Sequence, residues 1–276
     1  MKTRPAPFVD THCHLNLAAF QNDLEAVLER AHDAGITKIL VPGTDFETSQ
    51  RAVTLAGQHP GVYAAVGFHP HDAQKWDRSN ASQLKQLAEH PGVVAIGEIG
   101  LDYYRNLSGR EVQRRAFEEQ LELAIELELP VIVHNRDATT DVLAMINEWV
   151  KELPQNLQGR AGVLHAFSAD EIAASNAIEM GFYIGIAGPV TFQKAEALRS
   201  LVSNLPIKRI LTETDAPYLT PDPHRGKRNE PGHVQFVAAA IAETRQVELE
   251  QAKGQMAANA RILFQWNHEL SNSNIL

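Results

Sequence analysis

Apolar positions recur along this chain in two alternating registers. Eight short runs are almost continuously apolar or β-branched: Phe8–His14, Lys38–Gly43, Val62–Phe68, Val93–Ile99, Pro130–His134, Gly162–Phe167, Phe182–Ile186 and Arg209–Thr214. Most lack polar alternation, which suits strands covered on both faces in a parallel sheet. Amphipathic stretches of helix length lie between them. Asp23–Ala34 sets Leu24, Val27, Leu28 and Ala31 on one helix face, and Glu111–Leu127 repeats the spacing with Phe117, Leu121, Ala124 and Ile125. Gly35, Pro130 and Gly181 supply stop signals. Pro231–Thr244 and Leu249–Asn267 read as two closing helices.

Eight β–α alternations in 276 residues, with no internal repeat, low-complexity tract or long linker, fit a single (β/α)8 barrel of the TIM type. The expected domain is the whole chain, 1–276, with its core over about 8–267. Alternation alone leaves a doubly wound sheet open. The longest irregular stretch, Pro217–Pro231, follows the last strand, where the active-site loops of barrels lie.

Composition narrows the function classes. Lys and Arg number 25 against 34 Asp and Glu, a net charge of −9. That argues against non-specific coating of nucleic acid, which depends on cationic side chains neutralising phosphates. It does not exclude a nuclease whose positive charge comes from metal ions. A single cysteine, Cys13, rules out an intrachain disulfide and reads as packing between strand and helix. No apolar run approaches the roughly 18 residues of a membrane span, and Met1–Pro7 holds no signal-peptide core. The expectation is a soluble cytoplasmic protein with no membrane contact and no obligate protein partner.

The candidate chemistry sits at the C-terminal ends of the runs. In Asp10-Thr11-His12-Cys13-His14 the two histidines are two apart and face one side of a strand, as metal ligands or as a hydrogen-bonded pair. Glu98, in Ile96-Gly97-Glu98-Ile99-Gly100, is a carboxylate inside an apolar run, costly unless paired or metal-bound. Gly97 and Gly100 leave room for another group to approach. Asp102, just past that strand, is a candidate to orient a ligand histidine from behind, or a plain loop carboxylate. His134 and His165 each end a short apolar strand. Asp215 lies at the same rim, with Glu213 deeper, where it could hold a neighbouring side chain. Strands one, four, five, six and eight thus deliver four imidazoles and two carboxylates to one rim. A single catalytic ion takes about three protein ligands, so this set suits two ions about 3.5–4 Å apart bridged by a carboxylate.

Seven motifs in order carry a family resemblance over Asp10 to about Phe264. They are Asp-Thr-His-Cys-His-Leu at 10–15, Gly-Phe-His-Pro-His at 67–71, Gly-Glu-Ile-Gly-Leu-Asp-Tyr at 97–103, His-Asn-Arg-Asp-Ala at 134–138, His-Ala-Phe-Ser at 165–168, Glu-Thr-Asp-Ala-Pro-Tyr-Leu at 213–219 and Arg-Gly-Lys-Arg-Asn-Glu-Pro at 225–231. The chain resembles the TatD family of metal-dependent deoxyribonucleases, within the amidohydrolase-type barrels. By that resemblance His12, His14 and Asp215 would hold one divalent cation, His134 and His165 a second, and Glu98 would bridge them. The family pattern often has Gly after the Ser of the sixth-strand motif; Ala169 and Asp170 follow Ser168 here. This bears on the loop rather than on His165.

The resemblance implies phosphodiester hydrolysis of nucleic acid, DNA rather than RNA, with Glu98 and Asp215 as catalytic carboxylates. Asp215 is the candidate acceptor for the proton of the attacking water. His69, Arg136 and Arg225 are candidate substrate contacts, joined by His71, Lys227 and Arg228; each is also readable as structural or as solvated surface. The expected cofactors are two divalent cations per chain, magnesium, manganese or zinc. Two alternatives carry forward. A binuclear amidohydrolase or esterase acting on a small molecule would use the same scaffold, although many such enzymes bridge their metals with a strand-four lysine that is lacking here. A non-catalytic metal-binding barrel would be expected to have lost a ligand, and none is missing.

Overall fold

The computed structural model describes residues 5–266. Eight parallel strands form one sheet in sequential order. They are β1 (Phe8–Asp10), β2 (Ile36–Pro42), β3 (Val62–Val66), β4 (Val93–Asp102), β5 (Val131–Arg136), β6 (Gly162–Leu164), β7 (Phe182–Ile186) and β8 (Ile210–Thr212). Helices pack outside: α1 (Leu24–Asp33), α2 (Phe46–Gln58), α3 (Arg78–Ala88), α4 (Arg110–Glu126), α5 (Thr139–Trp149), α6 (Glu171–Glu179), α7 (Glu196–Asn204), α8 (Val234–Thr244) and α9 (Leu249–Phe264). The last strand returns to the first. Thr11 N–H donates to the Thr212 carbonyl at 3.1 Å, Asp215 N–H to the His12 carbonyl at 2.8 Å, and Cys13 bridges Ala216 in parallel. The (β/α)8 barrel expected from the alternation is therefore the fold. Among the described residues no helix is long and apolar enough to cross a membrane.

Strand alternation separates two apolar layers. Outward residues such as Ile39, Val41, Val131 and Val133 pack under the helices. Inward residues, among them Leu40, Tyr63, Ile132, Val163, Tyr183 and Leu211, fill the barrel interior. Leu263 and Phe264 at the end of α9, together with Trp266, join that inner cluster. The helix faces behave as their spacing predicts: Val27 and Ala31 are buried and Leu24 and Leu28 pack on the core, as do Phe117, Leu121 and Ala124. Gly35 and Gly181 take the positive φ (+82° and +90°) that ends a helix.

Element ends differ from expectation. β1 stops at Asp10, so His12 and His14 lie beyond the ladder, and β6 and β8 stop one residue before His165 and Glu213. β4 instead runs on to Asp102, which is a strand residue paired with Arg136 and not a loop carboxylate. The helix expected at Pro231–Thr244 opens with a 3-10 turn at Pro231–His233. The last helix ends at Phe264, and Asn267 lies outside the described residues. Cys13 is fully buried in the outer core layer.

Candidate metal centre

The inward row of each strand continues upward into the mouth of the barrel. Ile132 is followed two positions later by His134, Val163 by His165, and Leu211 by Glu213 and then Asp215. A dry interior thus ends in polar side chains. Glu98 stands among them, 2 % exposed. Its backbone N–H donates to the Gly43 carbonyl at 2.7 Å.

The two oxygens of Glu98 face different partners. Oε2 is 3.3 Å from His12 Nε2 and 3.5 Å from His14 Nε2, and Asp215 Oδ1 lies 3.7 and 3.4 Å from the same two nitrogens. Oε1 is 2.9 Å from His134 Nδ1 and 2.7 Å from His165 Nε2. All six residues singled out from the sequence therefore meet in one place. His69 joins them, with Nε2 3.4 Å from Glu98 Oε1.

Hydrogen bonds decide which nitrogens carry lone pairs. His134 Nε2 lies 3.3 Å from Asp102 Oδ2, which also takes His71 Nε2 at 2.7 Å. A carboxylate only accepts, so His134 Nε2 carries a proton and Nδ1 is left to face Glu98. His69 is set the opposite way. Its Nδ1 accepts the His71 backbone N–H at 3.1 Å, so the neutral ring carries its proton on Nε2 and points that N–H at the centre. His69 is thereby a donor to whatever occupies the centre rather than a further nitrogen ligand. Its sequence position offers it as a substrate contact or as a structural histidine.

Charge follows the geometry. Burial opposes ionisation of Glu98, but the His165, His69 and His12 rings outweigh it and hold the carboxyl well below its usual range. Burial likewise opposes the charge on Asp215, and His14, His12 and His165 prevail. Burial would keep His165 neutral, yet Glu98 and Glu213 push it well up. His134 is raised against burial by Asp102 and Glu98. Burial and the stacked His165 ring, 4.0 Å away, push His12 down. Burial takes His69 down to about 4 despite Glu98.

This donor set fits divalent cations. His12 Nε2 and His14 Nε2 are 3.1 Å apart, and His134 Nδ1 and His165 Nε2 3.2 Å apart, each pair converging on one carboxylate oxygen. Lone pairs so placed require a positive charge between them. Two triads of these ligands have all their donor atoms within 4.8 Å, His12/His165/Asp215 and His12/His14/Glu98; His69 lies within the same distance of Glu98 and His134, there as an N–H donor.

The supporting groups are now visible. Glu213 is fully buried; its Oε1 accepts the Ala166 backbone N–H and lies 3.7 Å from His165 Nδ1, an electrostatic neighbour of that ring rather than a hydrogen-bond partner. Asp10, given no role by sequence reading, is also buried and latches β1 to the end of β8. It accepts from Thr214 N–H at 2.9 Å, from Thr214 Oγ1 at 2.6 Å and from His12 N–H at 3.3 Å. The basic candidates divide. Arg136 sits over the exposed Tyr104 ring at 4.0 Å, and Arg225 over Phe192 at 4.1 Å. Arg228 is a correction: its guanidinium clamps Asp23 at 2.7 and 2.9 Å, the Ala19 carbonyl at 2.6 Å and Glu230 at 2.9 Å, so its donors are occupied within the fold. The side chain of Lys227 is exposed.

Comparison with known proteins agrees with this architecture. Residues 9–265 match the family described as TatD related DNase. An uncharacterized metal-dependent hydrolase, YabD, of Bacillus subtilis is 40% identical over 94% of this chain and 99% of its own. The 3′-5′ ssDNA/RNA exonuclease TatD of Erwinia billingiae is 41% identical over 92% and 98%. The crystal structure of YjjV, a TatD homologue from Escherichia coli, superposes with a TM-score of 0.87 at 35% identity, covering 94% of this chain and 98% of that one. The chain belongs to the TatD-related DNase family.

Proposed function

We propose that this TatD-family chain is a metal-dependent phosphodiesterase that hydrolyses DNA, with two divalent cations held at the barrel mouth. One observation carries the reading: the two oxygens of a single buried carboxylate, Glu98, serve two separate donor groups. His12, His14 and Asp215 would hold one cation, His134 and His165 the other, with Glu98 shared, an arrangement suited to paired ions. Four imidazoles among six donors favour zinc or other transition ions, while the carboxylates and the phosphoryl chemistry also suit magnesium or manganese. When bound, such ions supply Lewis acidity to the phosphoryl oxygens and lower the pKa of water.

The chain's own groups do the rest. Asp215, held ionised by the surrounding histidines, is the carboxylate able to receive a proton from the attacking water. His69 presents an N–H beside Glu98 Oε1 and is suited to a phosphoryl oxygen. Asp102 and Glu213 position His134 and His165 from behind. Arg136 and Arg225, each over an aromatic ring outside the centre, would meet flanking phosphates. The amide- or ester-hydrolase alternative has no observation in its favour: β4 contributes Glu98 and no lysine.

The deciding experiment is cleavage of end-labelled single- and double-stranded DNA and RNA under magnesium, manganese and zinc. Metal-stimulated release of nucleotides from single-stranded DNA is expected, and alanine at Glu98 or Asp215 should abolish it. Unchanged cleavage by the purified variants overturns the assignment. Preference for RNA revises the substrate.

A further inference from the structure

Beside the centre runs an open groove of about 800 Å³, within the roughly 300–1,000 Å³ typical of small-molecule sites. One wall begins at Ala166, the residue after His165, and another includes Leu219, four positions after Asp215. The floor is apolar, with Phe167 and Leu201 each buried. The rim carries Lys194 and Arg225, both exposed and neither in an ion pair among the described residues. Two rim carboxylates are already engaged: Asp170 caps α6 through the Ala173 N–H at 2.8 Å, and Glu171 accepts from Asn204 at 2.9 Å. The ring of Phe192 backs the Arg225 guanidinium at 4.1 Å.

We propose that this groove seats the nucleoside adjoining the scissile phosphate. Its base stacks on the Arg225 guanidinium backed by Phe192, and the next phosphate meets Lys194. The inference rests on the phosphodiesterase reading above. A strand whose phosphate sits at the centre has to leave it along one of the bordering walls, and this groove starts one residue from His165. An apolar floor with one planar cation, Arg225, and one ammonium, Lys194, at its rim suits a base face followed by a phosphate. A peptide backbone would leave its amides without partners on such a floor.

The test compares two probes, a short thymidine strand and bis(4-nitrophenyl) phosphate, which has no nucleoside. Phe192→Ala removes the backing ring. Ala197→Trp, at an exposed position on the groove wall, fills the groove from the surface and replaces no core side chain. Stacking is worth roughly tenfold or more in affinity per base. The ratio of kcat/KM for the strand to that for the small ester should therefore fall about tenfold in both variants, chiefly through KM. A ratio within about twofold of the unaltered protein in the folded Ala197→Trp variant overturns the groove assignment, because filling the groove then costs the strand no stacking. Failure of the unaltered protein to cleave either probe under magnesium, manganese or zinc overturns the phosphodiesterase reading, and the groove assignment with it.

Discussion

Asp102→Asn tests whether the centre is aimed by the groups behind it. Asp102 is fully buried. Its Oδ2 takes His71 Nε2 at 2.7 Å and His134 Nε2 at 3.3 Å, and its Oδ1 takes the Arg105 N–H at 2.7 Å. Burial opposes its charge, yet the His134, Arg105 and His71 donors hold the carboxyl well below its usual range. An amide of the same shape must turn an NH2 toward one side. On one side it meets the Arg105 N–H, on the other the two imidazoles. Either way a buried donor faces a donor; with the NH2 toward the rings His134 loses the acceptor that leaves its Nδ1 free, and with the oxygen there it keeps only a neutral, weaker one. A hydrogen bond to a charged group contributes about 1.5–3 kcal/mol, which is roughly 10- to 150-fold in an association constant. This agrees with the 10- to 100-fold typical of partners behind a ligand histidine. Titration calorimetry with zinc and manganese, beside a thermal melt, is the assay. One of two binding events should weaken by one to two decades, while the event assigned to His12, His14 and Asp215 is kept. If both events stay within about threefold of the unaltered protein, Asp102 does not position His134 and the reasoning fails.

Two further predictions concern parts of the fold away from the metals. Asp45 caps α2 by accepting the Thr48 N–H at 2.9 Å, while Thr48 Oγ1 takes the Asp45 N–H at 2.9 Å; Asp45→Ala should cost about 1 kcal/mol. Burial opposes ionisation of Asp45, but Thr48 and Lys75 lower its carboxyl. A lowered folded value means a contribution present above the ordinary carboxylate range and lost as pH falls through the folded one. Urea unfolding should therefore show the gap at neutral pH and a smaller one near pH 3; an equal gap at both refutes it. Arg228→Ala should lower the melting temperature, by about 1–2 kcal/mol of stability, and leave KM for a thymidine strand unchanged. A large rise in KM at unchanged melting temperature would return Arg228 to the substrate.

The barrel was legible because its strands are apolar on both faces, the inward row filling the interior and the outward row packing under the helices, which makes the runs conspicuous. Their ends were less so. His12 lies past β1 because the chain there exchanges ladder pairing for contacts to the end of β8, 203 residues away in the case of Asp215 N–H to His12 O. A local pattern carries no trace of such a partner. The same holds for Asp10, which shares the parity of His12 and His14 but owes its role to Thr214. Arg228 was misread for a related reason: a basic stretch in a loop looks alike whether its charges meet solvent or, as here, Asp23 on the other side of the sequence. His69 was legible as a candidate substrate contact but not as an N–H donor at the centre, since its proton is assigned by a backbone N–H that no motif records.

The ligand residues were legible because they extend the inward row by one or two steps; the residues that make space for them are harder to see. Three strands supply none of the six ligand residues, β2, β3 and β7, and each has a glycine near its C-terminal end: Gly43 and Gly67 just past β2 and β3, and Gly185 one residue before the end of β7. A Cβ on Gly185 would lie 2.5 Å from Glu213 Oε2, and one on Gly67 3.0 Å from the backbone of Gly97, beside Glu98. A Cβ on Gly43, whose carbonyl receives the Glu98 N–H, would lie 2.0 Å from Ser49 Oγ. An added methyl at Gly185 would displace the carboxylate that faces His165, and one at Gly67 would press on the strand that carries Glu98. The silent strands therefore take part in the centre as much as the ligand strands do. They leave room for the charged groups that the others bring, and glycine is the residue type by which a sequence can express that.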